Sequence, residues 1–152
     1  MKRIALYMLL LAAALQMPVE RMDVGKLIPV ELLHIYREGE HIVIATDTGS
    51  SGTGKTVDEA VENLKATTAG IIYLDTARYL LIEENASREL VAICAYLKPS
   101  VRVCAARRYV DLEKAVSYLA AHPPRQRLRD LMDGRTVEKL LLEGGKMILK
   151  EI

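Results

Sequence analysis

The chain contains no tryptophan and no phenylalanine, and only seven tyrosines among 152 residues. So sparse a set of rings offers no aromatic platform for stacking nucleic-acid bases. The core must instead be filled by Leu, Ile, Val, Ala and Met. Neither sign of charge is in excess, with 21 basic against 20 acidic residues, so no global field draws in nucleic acid. Cys94 and Cys104 are the only cysteines. Ten residues separate them and no histidine lies nearby, which is not the spacing of a zinc or redox site. An exported chain would permit a disulfide between them, whereas the apolar neighbours Ile93, Ala95, Val103 and Ala105 favour buried free thiols.

What is abundant is apolar residue, 51% of the chain, enough for the core of one domain. Part of it is concentrated at the start. Lys2-Arg3 precedes an uncharged run from Ile4 to Leu15, closed by Gln16 and Pro18. This is the order of a secretory signal, and the run is shorter than the roughly 17–25 residues of a bilayer-spanning helix. Ala12-Ala13-Ala14 supplies small residues for cleavage. Residues 1–17 are therefore expected to be a signal peptide or signal anchor, and residues 25–152 a single mixed α/β domain. No cysteine follows the run to accept a lipid.

Within the domain, Leu27–Tyr36 and His41–Ala45 read as a β-hairpin around a turn at Arg37–Glu40. Pairing Tyr36 with His41 puts Leu33, Ile35, Ile42 and Ile44 on one face and His34, Tyr36, His41 and Val43 on the other. Asp47–Lys55 has the Gly, Ser and Thr content of a loop. Thr56 then caps a helix with Glu59 as its capping-box partner, and Val57, Ala60, Val61 and Leu64 form its buried stripe. Short strands follow at Ile71–Leu74 and Arg78–Ile82, and a helix at Ala86–Leu97 that Lys98-Pro99 stops. Next come a strand at Val101–Ala105 and a helix capped by Asp111 and ended by His122-Pro123-Pro124. Two short helices at Arg125–Met132 and Thr136–Leu142 precede a final edge strand from Lys146 to Ile152. The fold class expected is α/β of the α+β type: a mixed β-sheet with a leading antiparallel hairpin and helices packed on the sheet.

Gly49-Ser-Ser-Gly-Thr-Gly54-Lys55-Thr56 satisfies the phosphate-loop pattern. In a working loop, backbone amides cradle phosphates, Lys55 neutralises the outer ones and Thr56 holds Mg²⁺. Asp75, at the end of Ile71–Leu74, would assist the metal. Three features oppose that reading. The preceding strand is hairpin-paired where such folds need a parallel sheet, few strands remain after Lys55, and a signal would place the domain away from ATP. Nucleotide binding through Gly49, Gly54, Lys55, Thr56 and Asp75 is therefore the alternative. The preferred expectation is a loop and a capped helix with Lys55 in solvent.

No other constellation converges. His34 and His41 share a hairpin face without a third ligand, which favours ordinary sheet residues over a metal site. Glu83 and Glu84, as neighbours on a strand, would point to opposite faces and make a poor acid/base pair. Ser50, Ser51 and Thr53 have no histidine tied to them by motif. Arg107, Arg108, Arg125, Arg127, Arg129 and Arg135 interleave with Asp130, Asp133 and Glu138, as on a solvated face. No catalytic residue, metal or cofactor is expected.

The run Gly54-Lys55-Thr56, Glu59-Ala60, Leu64, Tyr73-Leu74, Tyr79–Glu84 and then Val101-Arg-Val-Cys-Ala105 resembles the N-terminal domain of the spore germination receptor C subunit family, over roughly Leu27 to Arg108. Gln16-Met17-Pro18 stands where that family carries a lipid-modified cysteine, and Asp75-Thr76 where it commonly has Gly-His. The resemblance implies a non-enzymatic protein, exported or held at a membrane, whose partners are other envelope or spore-membrane proteins.

Overall fold

The computed structural model describes residues 24–107, 109–131, 138–143 and 146–150. The expected signal segment lies outside them. The fold is mixed α and β, with helices packed on both faces of a seven-stranded sheet and a separate two-stranded ribbon.

The ribbon pairs β1 (Leu27–Pro29) in parallel with β5 (Ile71–Tyr73). The expected first strand is thus divided at Val30–Glu31, and the hairpin begins only at β2 (Leu32–Glu38), which pairs with β3 (His41–Thr46). Its turn is the dipeptide Gly39-Glu40, with Gly39 at φ +63°, rather than the expected four residues. Tyr36 therefore pairs with Val43, not His41. A shift of two residues leaves every side chain on its expected face, so Leu33, Ile35, Ile42 and Ile44 are buried together as the pattern requires.

The expectation of a loop over Asp47–Lys55 is corrected. Only 47–50 turn, with Gly49 at φ +81°, and Ser51–Gly54 is an edge strand, β4, antiparallel to β3. Composition gives no strand signal here. The strand exists because Ile42 and Ile44 face Gly54 and Gly52 across the ladder, and the helix α1 (Val57–Thr67) lies directly on those glycines. The Thr56 hydroxyl accepts the Glu59 amide at 3.2 Å, as expected of a cap. The Glu59 carboxylate reaches one residue past the cap to the Lys55 amide at 2.7 Å. Val57, Ala60, Val61 and Leu64 are the buried stripe.

β2 continues into a parallel set through β6 (Tyr79–Ile82), β7 (Arg102–Ala106) and β8 (Lys139–Glu143), and the sheet closes with β9 (Lys146–Lys150) antiparallel to β8. β8 replaces the helix expected at Thr136–Leu142, of which residues 136 and 137 are outside the described residues. An unbroken Leu140-Leu141-Leu142 run fits a buried strand as well as a helix, and pairing on both sides decides it. The helix expected at Ala86–Leu97 is a 3₁₀ stretch, Glu84–Glu89, followed by a single α turn, α2 (Leu90–Ile93). No side chain caps either piece, so nothing extends the α geometry. α3 (Leu112–Ala121) starts on the Asp111 carboxylate, which accepts the Lys114 amide at 3.1 Å. α4 (Leu128–Leu131) is a shorter form of the helix expected at Arg125–Met132.

Two cores result. α1, α2 and α4 cover the face bearing Leu33, Ile35, Leu80, Ile82 and Val103. α3 covers the opposite face, where Leu32, Leu81, Cys104 and Leu140 meet Ala115 and Leu119. Both cysteines are free and belong to different cores, which separates them by the thickness of the sheet. Cys104 is buried, and that burial drives its thiol well above the ordinary range.

Candidate functional site

The phosphate-loop residues each have an architectural task. Gly49 makes a left-handed turn, Gly52 and Gly54 let α1 approach, Thr56 caps that helix, and Lys55 is exposed. Two amides that a phosphate would use are taken: that of Thr53 donates to Asn63 Oδ1 at 3.2 Å, and that of Lys55 to Glu59. Asp75 lies in a 3₁₀ turn after β5, and β5 pairs with β1 rather than with β3 or β4. The geometry therefore does not set a metal-assisting strand beside the loop, as a nucleotide site of this kind requires.

His34 and His41 do share a face. His34 is buried with its ring centroid 5.1 Å from that of Tyr36, and His41 is exposed. Burial lowers the His34 pKa to about 4, so the ring is neutral at ordinary pH, and its Nε2 has no hydrogen-bond partner. No group of three or more metal-ligating side chains occurs among the described residues. Two arginines are held by neighbours: Arg102 donates to the Pro124 carbonyl at 2.5 Å, and Arg129 pairs with Asp130 at 3.6 Å. Arg135 and Arg108 lie outside the described residues.

The strand polarity creates a place that the sequence patterns do not show. β2, β6 and β7 are parallel, so their carboxyl ends meet at one rim. After β6 the chain turns to the first face, where Ala86 and Ile93 are buried, and after β7 it turns to the other, where α3 packs. Adjacent parallel strands whose connections leave in opposite directions open a crevice between them, the usual ligand position in open α/β sheets. Here it has a volume of about 340 Å³ and is lined by Glu83, Glu84, Asn85, Ala106, Arg107 and Lys139.

Glu83 and Glu84 thus come to one crevice, contrary to the expectation of opposite faces. β6 ends at Ile82, so strand alternation no longer governs them. The Glu84 carboxylate pairs with the Lys139 ammonium, which holds its pKa below the ordinary value, with Arg107 adding to the effect. Glu83 is anchored by its amide, which donates to the Ile35 carbonyl at 2.9 Å, and its Oε2 is buried without a partner. Asn85 Oδ1 accepts the Arg37 amide at 3.4 Å, tying the β6 loop to the end of β2. Arg107 is exposed and makes no hydrogen bond or ion pair among the described residues. Charges directly after two successive buried strands were the available signal, but it has meaning only once those strands are known to be parallel neighbours.

A second surface stands out by its apolar character. Ile71 and Tyr73, on the outward side of β5, are 44% and 41% exposed, and among the described strands β5 pairs only with β1. No protein family, no curated protein and no solved structure matches this chain.

Proposed function

We propose that this chain is a non-enzymatic domain, exported or anchored at a membrane, that works through contact with other envelope or spore-membrane proteins, in keeping with its resemblance to the first domain of germination receptor C subunits. The observation that carries the contact is β5. It offers two exposed apolar side chains on a strand that has no second neighbour among the described strands, and an added strand from a partner would pair there while covering Ile71 and Tyr73. The opposite case is seen at β4, whose outward groups are occupied by α1: Asn63 takes the Thr53 amide and the Thr67 hydroxyl donates to the Ser51 carbonyl at 3.3 Å. Among the described residues the β4 edge is closed in this way, whereas β5 has no second neighbouring strand.

Two experiments test this. In intact cells, a tagged chain is expected to be digested by added protease or to fractionate with the membrane. Protection in the soluble fraction would remove the export half of the reading. Site-specific photocrosslinking from position 73 should trap a discrete partner, and Ile71→Asp should abolish that product without lowering the melting temperature. A crosslink pattern unchanged by Ile71→Asp would remove β5 as the contact.

A further inference from the structure

We propose that the crevice beyond β6 and β7 binds a small zwitterion carrying both an ammonium and a carboxylate, of the α-amino acid class. The proposal stands apart from the β5 contact and does not depend on it.

The crevice lies where a parallel sheet places ligands, between connections that leave toward opposite faces. Its volume of about 340 Å³ is at the small end of the roughly 300–1,000 Å³ usual for ligand pockets. Its charge is balanced, with Glu83 and Glu84 against Arg107 and Lys139. Glu84 and Lys139 satisfy one another. What remains is the partly exposed carboxylate of Glu83, whose buried Oε2 has no partner, and the exposed guanidinium of Arg107, which makes no hydrogen bond or salt bridge among the described residues and is only attracted to Glu84 from beyond salt-bridge distance. A simple anion would gain Arg107 but meet two carboxylates. A simple cation would gain Glu83 but meet two positive groups. A molecule with both ends matches both residual charges, its carboxylate taken by the Arg107 fork and its ammonium by Glu83. Asn85 adds an amide NH₂, since its oxygen is already engaged by Arg37. Because Glu83 and Asn85 are fixed through the end of β2, the acceptor side is preorganised, which lowers the cost of binding.

The test is an NMR titration of the full chain with L-alanine, L-leucine and L-asparagine, beside propionate as an anion alone and ethylamine as a cation alone. At least one amino acid should produce saturable amide shifts at 83–85 and 106–107, while propionate and ethylamine produce none there. Arg107→Gln, an exposed change, should weaken that binding at least tenfold, and Glu83→Gln should do the same. Should Glu83→Gln fail to fold, Arg107→Gln alone decides. The proposal is overturned if no amino acid saturates those shifts, if propionate or ethylamine saturates them equally, or if Arg107→Gln binds like the wild type.

Discussion

At Gly52 an added methyl would collide with the Ala60 carbonyl oxygen and the Leu64 amide nitrogen, and would stand 2.6 Å from the Leu64 Cβ. These are atoms of a helix backbone and cannot swing aside. Gly52→Ala should therefore cost about 3 kcal/mol, at the upper end of ordinary overpacking, and show as a clearly lowered midpoint in urea. At Gly39 there is open space, and only its left-handed φ of +63° opposes a side chain, so Gly39→Ala should cost about 1 kcal/mol. A hierarchy in the other order would contradict the packing account. His34 makes a different prediction. Its pKa is about 4 folded against 6.5 unfolded, so the unfolded chain binds the extra proton as the pH falls. Stability is unaffected above pH 6.5 and is lost between pH 6.5 and 4, by a total of about 3 kcal/mol. His34→Gln should flatten that part of a stability–pH profile, and an unchanged slope would assign it to other groups.

Among the elements, the helix caps were legible and the glycine strand was not. Thr56 and Asp111 begin α1 and α3 because a short side-chain oxygen followed by an apolar stripe carries its meaning locally. Thr56→Ala should cost about 1 kcal/mol, measured by the same urea midpoint. The faces of the leading hairpin were also readable, because period two survives a misplaced turn. β4 was hidden because its reasons lie elsewhere in the chain: glycines score against a strand, yet α1 requires them there. The stretch Ala86–Leu97 showed the converse. Its apolar spacing is real, and Leu90, Ile93, Cys94 and Leu97 do join one core, but without a cap most of it is not α-helical. Closure of the β4 edge by α1 is testable. Asn63→Ala should speed hydrogen exchange at the Thr53 amide at least tenfold, about 1.4 kcal/mol, while leaving core amides of β6 unchanged. Equal protection in the variant would show that Asn63 does not hold that edge.

At the scale of the molecule, the mixed sheet with helices packed on it was expected, but the covering of both faces and the strand order were not available from the chain alone. That order brings β6 and β7 together with diverging connections, and so creates the crevice at Glu83, Glu84 and Arg107. It also separates Asp75 from the Gly49–Thr56 run by placing β5 in the ribbon with β1. The phosphate-loop pattern is thereby accounted for by a turn, a close approach and a cap. Titration of Mg-ATP into the wild type and Lys55→Ala, followed by calorimetry and by melting temperature, tests this most directly. The account predicts no saturable heat and the same melting temperature for both proteins with or without nucleotide. Saturable Mg-ATP binding by the wild type that Lys55→Ala abolishes would contradict it.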